Sequence, residues 1–364
     1  MKISEIISVI EEVAPLPLQE SYDNAGLQVG NKNNEATGAL LCIDVTEDII
    51  DEAIENGLNL VISHHPLIFK SIKSITGKNY IERAIIKAIK NDIAIYSAHT
   101  NLDNAFGGVN FKIAEKLGLS DVKVLSPISG RMLKLTVFVP TESADEVRNS
   151  ILNSGAGEIG SYDMCSYNME GYGTFRAKEG ANPYCGEIGS IHKEKEVRIE
   201  VILPDYNKNK VLKSMLQSHP YEEPAYDIIP LANSNNYAGS GVVGELIAPM
   251  NEEDFLAMVK NVFHVGALKY SSLTGKKIKR VALCGGSGAF LFDEALRVKA
   301  DAFITGEVGY HNYFMADGQI LMVEAGHYET EQYTKDIFCD IITKKFPNFA
   351  VQYTNVETNP INYL

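Results

Sequence analysis

Two histidines stand side by side in Ser63-His64-His65-Pro66, and a third precedes a glutamate by four residues in Gly326-His327-Tyr328-Glu329-Thr330-Glu331. Neighbours within a strand point to opposite faces, so both histidines reach one place only where the strand ends, and Pro66 supplies that ending. The spacing of His327 and Glu331 puts them on one face of a helix, at its start, where an anionic substrate group would also be attracted. Asp103 closes another polar stretch, Ser97-Ala98-His99-Thr100-Asn101-Leu102-Asp103. Imidazole and carboxylate are the donors that borderline and hard divalent ions take, which makes His64, His65, Asp103, His327 and Glu331 metal-ligand candidates. Five donors exceed what one tetrahedral ion with an open position uses. Two ions bridged by Glu331 would use them better, and a two-metal site can activate water for hydrolysis.

Other residues could complete such a site. His99 reads as a ligand, as a partner to a ligand or as a proton carrier. Glu307 and His311, also four apart, are candidates for general acid–base work or for structural support of the ligands. Gly285, Gly286, Ser287 and Gly288 form either a substrate-binding cradle, with backbone N–H groups on a phosphate, or a tight turn. The stretch lacks the Lys-Ser/Thr of a P-loop and the spacing of GxGxxG. Lys70, Lys73 and Lys78 could meet phosphate or simply face water, and Cys284 reads as a packed strand residue rather than a nucleophile.

Parallel strands are the elements that would gather these residues. Apolar runs at Ala39–Ile43, Leu58–Ile62, Ile93–Ser97, Arg280–Cys284, Asp301–Ile304 and Ile320–Val323 alternate with helical patterns, as crossover-connected parallel strands do. Helices are expected around Ile81–Lys90, Phe290–Val298 and His327–Lys344. Ligands collect beyond the carboxyl ends of such strands. The exits here carry Asp44, His64-His65, His99 and Asp103, the Gly285–Gly288 turn, Glu307 and His311, and His327 with Glu331. The two chain ends therefore predict one α/β unit or two similar halves packed together.

The middle of the chain has a different grammar. Pro140 and Pro204 lie 64 apart, as do Val147 and Val211, Leu152 and Leu216, Ser154 and Ser218, and Tyr162-Asp163 and Tyr226-Asp227. Each copy reads as strand, proline, amphipathic helix, strand. Two such units match the βαβ–βαβ plan of a ferredoxin-like domain. The expected division is 1–128 and 235–364 as two parts of a core, and 129–234 as an inserted α+β domain, which agrees with about 100–200 residues per domain.

Composition sets the outer bounds. With 45% hydrophobic and 22% charged residues, a core-forming globular protein is expected rather than a disordered one. A net charge of -14 repels nucleic-acid phosphates, so nucleic acid is an unlikely partner. No run approaches the about 18 apolar residues of a membrane span, and the N-terminus reads as an amphipathic helix rather than a signal peptide. Five scattered cysteines without a CxxC pair fit a reduced, cytoplasmic protein.

Several uncommon motifs occur in order along the whole chain: Ser21-Tyr22-Asp23-Asn24-Ala25-Gly26-Leu27-Gln28-Val29-Gly30, Ser63–Pro66, Tyr96–Asp103, Cys284–Gly288, Thr305-Gly306-Glu307 and Gly326–Glu331. In these the chain resembles the Nif-three-like family, whose bacterial members are type 2 GTP cyclohydrolase 1 homologues. Glu179-Gly180-Ala181-Asn182-Pro183 and His219–Tyr226 resemble the PII/CutA-like insert of its longer members. Tyr22 stands where the family usually has Trp. The resemblance implies a Nif-three-like core of mixed and parallel sheets and a binuclear site of two divalent ions, whether zinc, iron, manganese or magnesium. On the matching positions His65 and Asp103 would hold one ion, His64 and His327 the other, and Glu331 both. It further implies a homohexameric ring with the sites facing an internal cavity, and opening of the guanine ring of GTP with release of formate.

The expectation is therefore a binuclear metal-dependent hydrolase acting on a nucleotide or other phosphorylated small molecule. The alternative is a non-enzymatic, metal-binding regulatory or chaperone-like ring whose insert senses a small molecule. A ring admitting nucleic acid is a third reading, which the charge opposes.

Overall fold

A computed structural model describes residues 1–364. In its first part, α1 (Ile3–Val13), β1 (Gly26–Val29), β2 (Ala39–Cys42), α2 (Glu47–Glu55), β3 (Leu60–Ser63), α3 (Tyr80–Lys90) and β4 (Ala94–Ser97) precede α4 (Thr100–Asp103), α5 (Val109–Lys116) and β5 (Ser120–Ser129). The middle contains β6 (Met132–Pro140), α6 (Ala144–Asn153), β7 (Tyr167–Arg176), β8 (Ile191–Pro204), α7 (Lys208–Ser218) and β9 (Tyr226–Leu231). The last part runs through β10 (Ser234–Met250), α8 (Glu252–Phe263), β11 (Lys269–Tyr270), β12 (Ile278–Cys284), α9 (Phe292–Arg297) and β13 (Ala302–Thr305). It ends with β14 (Leu321–Glu324), α10 (His327–Glu331), α11 (Thr334–Lys345) and β15 (Val351–Tyr353). Two compact units result, one of residues 1–127 with 237–364 and one of residues 128–236.

Every residue of β2, β3, β4 and β13 is buried, which is why these strands read as unbroken apolar runs. The larger unit holds two sheets, ordered β1-β4-β3-β2-β15 and β11-β14-β13-β12-β10-β5. Within each the central strands are parallel, but β1, β10 and β11 pair antiparallel to their neighbours, so both sheets are mixed. The apolar runs mark only the parallel strands, and the mixed sheets agree with what the familial resemblance implies. β5, from the first part of the chain, joins the second sheet, and β15, from the chain's end, joins the first. The two ends are thus interlocked by exchanged strands rather than being similar halves side by side. One apolar cluster gathers Leu40, Ile50, Val61, Ile85 and Ile95, and another Phe292, Phe303 and Met322.

α3 shows how a helix is set locally. Asn79 caps it, its side chain accepting from the Glu82 N–H at 2.9 Å, and Ala84, Ile85 and Ala88 form its buried face. The Glu82 carboxylate accepts from the N–H groups of Thr76 and Lys78 at 2.8 and 3.1 Å, which fixes the end of the loop that begins at Pro66.

The smaller unit is a single antiparallel sheet ordered β7-β8-β6-β9 with α6 and α7, a β-α-β-β-α-β succession. Its central register carries the sequence repeat: Pro140 pairs with Glu196 and Met132 with Pro204, so a shift of 64 in one direction and back in the other maps the ladder onto itself. The helices touch at equivalent positions, Ser150 donating to the Ser214 carbonyl at 3.1 Å. No helix of the chain is long and apolar enough to cross a membrane.

Replacing the α3 cap, Asn79→Ala, is expected to cost about 1 kcal/mol. Urea unfolding should show a lower midpoint with an unchanged slope; an unchanged midpoint would mean that the cap does not hold the helix start.

Candidate metal centre

At the end of β3 the backbone keeps pairing for two more residues, His64 N–H to the Cys42 carbonyl at 3.3 Å and His65 N–H to the Ile43 carbonyl at 2.9 Å. Both amides turn to the same neighbouring strand, so the alternation ends where β3 ends, at Ser63, and the two rings lie together with centroids 4.9 Å apart. His64 is fully buried and donates from Nδ1 to the Ala98 carbonyl at 3.0 Å. A carbonyl only accepts, so this bond fixes the tautomer and leaves the lone pair on Nε2. That nitrogen faces Asp103 Oδ1 at 3.7 Å and Glu331 Oε1 at 3.6 Å, both beyond hydrogen-bond length. His64 Nε2 and Asp103 Oδ1 are buried without a hydrogen-bond partner. Buried acceptors that face one another across such a gap fit a cation between them.

His65 places Nδ1 on Asp44 Oδ1 at 2.8 Å and Nε2 on Glu331 Oε2 at 2.8 Å. From α10, His327 places Nδ1 on Glu307 Oε1 at 2.9 Å and Nε2 3.2 Å from the same Glu331 oxygen. The donor atoms thus sort as His64 with Asp103 on one carboxylate oxygen of Glu331, and His65 with His327 on the other.

Glu331 needs room as well as partners. Gly286 has φ +59°, and a Cβ there would lie 2.2 Å from Glu331 Oε1. Three of the four amides in the Gly285–Gly288 turn are already engaged: Gly285 with Asn110 Oδ1 at 2.9 Å, Gly286 with Thr330 Oγ1 at 3.0 Å and Gly288 with Thr305 Oγ1 at 2.9 Å. The turn therefore clears space for the carboxylate and docks α10 rather than cradling a phosphate. Ser287 donates from Oγ to Glu307 Oε2 at 2.6 Å, so Glu307 is braced as support for His327.

The structure does not place His311 with Glu307. Glu307 precedes a 3-10 helix at Tyr310–Ala316, in which the exposed His311 ring packs against Tyr310 and Phe314. The helix expected over His327–Lys344 is also divided, into α10 and α11, without disturbing the His327–Glu331 spacing. His99 does join the cluster: a ring nitrogen of each of His64, His65 and His99 lies within 4.8 Å of the others. Its Nδ1 is held by Asp23 Oδ1 at 2.8 Å, and Asp23 also accepts from the Thr100 N–H at 3.0 Å. Asp23 and Asp44 were not singled out as site residues in the sequence. Asp44 was visible as a strand exit, whereas Asp23 offered no signal besides its place in a familial motif.

The charges are mutually dependent. Burial opposes charge on Glu331, but His64 and His65 outweigh it and hold the carboxyl well below its usual range. Burial and the charge of Glu331 push Asp103 well up. Burial lowers His64. His65 and His327 resist the same burial because of Glu331, with Asp44 and Glu307 adding to it, and rise to about 10 and about 9. Asp23, although desolvated, is brought down to about 2 by His99 and Thr100. A cavity of about 230 Å³ opens onto His99, Asp103 and Glu331, with Tyr22, Phe69 and Phe290 among its walls. A second, of about 550 Å³, reaches His65 and His327 beside Tyr328 and Tyr363.

Fold and geometry together define a mixed α/β protein with a buried histidine–carboxylate cluster able to hold metal. The chain belongs to the Duf34/NIF3 (NGG1p interacting factor 3) family, whose model matches residues 1–360. It is 40% identical over 373 residues to a Halalkalibacterium halodurans protein named GTP cyclohydrolase 1 type 2 homolog, covering all of both chains. A Bacillus subtilis protein of the same name is 38% identical over 368 residues, covering 99% of this chain and 98% of the other. Among solved structures, a Bacillus cereus protein related to NIF3 superposes with a TM-score of 0.88 at 38% identity, over 100% of this chain and 99% of that one.

Because Glu331 is what keeps His65 and His327 protonated, Glu331→Gln should lower both imidazole pKa values in chelator-treated protein. Side-chain ¹⁵N spectra across pH 6–11 would follow the two rings; values unmoved by the substitution would show that Glu331 does not set them.

Proposed function

We propose that the cluster is a binuclear divalent-metal centre, and that the protein is a hydrolase acting on a nucleotide or another phosphorylated small molecule. GTP ring opening, as in the name its relatives carry, is the specific candidate reaction. The observation that carries this reading is the pair of buried, unpartnered acceptors, His64 Nε2 and Asp103 Oδ1, facing Glu331 Oε1. His64, His65, Asp103 and His327 would hold the two ions, with Glu331 bridging them. Donors of this kind accept zinc, iron, manganese or magnesium. When bound, a pair of such ions acidifies water into a nucleophile and neutralises charge on the substrate.

The remaining residues prepare that chemistry. Asp44 and Glu307 engage Nδ1 of His65 and His327, which turns both Nε2 atoms toward Glu331. Asp23 fixes His99 through Nδ1, beside His64 and His65, a position from which the ring can take up or return a proton. Tyr22, Phe69 and Phe290 offer faces on which a planar base can stack.

A homohexameric ring accompanies this reading, and the exposed Tyr310 and Phe314 supply apolar surface of the kind a subunit contact covers. The ferredoxin-like topology of residues 128–236 accords with a PII/CutA-like insert. A second reading, a non-enzymatic metal-binding regulator or chaperone-like ring, is favoured by a cavity of about 560 Å³ within that unit, walled by Phe175, Tyr184 and Tyr221.

Metal content by mass spectrometry, with turnover of a nucleotide panel on the same samples, tests the proposal. Glu331→Ala should lower the content by about two ions per chain, the number a bridged site holds, and abolish turnover. Two ions without turnover of any nucleotide would favour the regulatory reading. No difference in metal between the two proteins after reconstitution would remove the binuclear centre altogether.

A further inference from the structure

The loop that joins β7 to β8 in the smaller unit brings a thiol back over the strand it enters. Residues two apart in a strand share a face, so β8 presents His192 and Glu194 together. Cys185 meets them from the loop. Gly186, with φ +82°, lets the loop settle directly on the histidine; a Cβ there would lie 2.8 Å from His192 Cβ and Cγ. Cys185 Sγ, a His192 ring nitrogen and a Glu194 carboxylate oxygen consequently lie within 4.8 Å of one another, all three residues half-buried. The Phe175 ring, 5.4 Å from that of His192, backs the group.

We propose that Cys185, His192 and Glu194 form a further metal site, separate from the histidine–carboxylate centre and suited to a thiophilic divalent cation of the zinc class. One thiolate, one carboxylate and one neutral imidazole balance a doubly charged ion, and each is an established zinc donor. His192 Nε2 now lies 2.8 Å from Glu194 Oε2; an ion would replace the proton shared there and draw in the thiolate, releasing its proton too. A half-buried His–Glu pair near the surface contributes little by itself, and it gives no reason for a thiol to be seated against it. Three protein donors leave a fourth position open. Tyr184, adjacent to Cys185, and Tyr221, whose hydroxyl is 3.8 Å from Sγ, both line the cavity of about 560 Å³, so the site stands at its rim. The sequence hides such a site because its donors form no CxxC or HxxxH pattern.

Cobalt(II) titration of the reduced, full-length protein tests this directly. A cysteine thiolate bound to cobalt gives a sulfur-to-metal charge-transfer absorption in the near ultraviolet, and none of the five donors in the histidine–carboxylate centre is sulfur. The expected result is such a band saturating at one equivalent and bleached by zinc, absent in Cys185→Ser and retained in Glu331→Gln. His192→Gln should weaken cobalt binding by more than the about 10–100-fold that loss of an outer partner costs. No band in the unaltered protein, a band that survives Cys185→Ser, one lost with Glu331→Gln, or an affinity unmoved by His192→Gln would each overturn the proposal.

Discussion

The larger unit is organised around the burial of one carboxylate. Glu331 is 3% exposed, and taking an isolated carboxylate out of water costs far more than the marginal stability of a domain allows. It can stay ionised only with opposite charge or hydrogen-bond donors on both oxygens. The structure supplies these to Oε2 from elements distant in sequence, the end of β3 through His65 and α10 itself through His327, while Oε1 faces the unpartnered His64 Nε2, where a cation would complete the balance. The turn after β12 contributes no charge but yields volume at Gly286. Removing the carboxylate would strand two histidines, and removing the histidines would strand the carboxylate.

The meeting of two adjacent histidines on that carboxylate follows from where β3 stops. Because β3 ends at Ser63, His64 and His65 are released from strict alternation and both face Glu331, His64 from the interior beside Asp103 and His65 from the side of Asp44 and His327. Glu331 is the single group that touches both sides, one oxygen to each. An outer ring of carboxylates and carbonyls then fixes the imidazoles: Ala98 for His64, Asp44 for His65, Glu307 for His327 and Asp23 for His99.

The ligand candidates were legible because each stands where an apolar run stops, and such stops on parallel strands converge in space. The repeat in the middle segment was legible because duplicated packing duplicates residue spacing, and the symmetric β6–β8 register is its physical expression. Strand exchange was not legible. β5 and β15 are partly exposed, so neither has the apolar signature that marks β3 or β13. The role of Gly286 was also hidden, since a glycine-rich turn looks the same whether its amides face a phosphate or, as here, Asn110, Thr330 and Thr305. Glu307 and His311 failed as a pair because i,i+4 spacing has meaning only in an α-helix, whereas Glu307 lies in an irregular stretch and His311 in the 3-10 helix that follows it.

Charge links the site to the chemistry proposed for it. Around His99 and Asp103 the cavity walls carry Glu20, Asp103 and Glu331 but no lysine or arginine. On the other side Lys269 is committed to Glu324 at 2.6 Å. In a chain of net charge -14, such walls repel a phosphorylated molecule until positive charge is installed between them. Two divalent cations on the five donors would reverse the sign of the local field and provide the points to which phosphate oxygens are drawn. On this reading metal loading and substrate binding are one electrostatic event, and the acidic surroundings that make the empty cluster hostile to anions are what let it gather cations first.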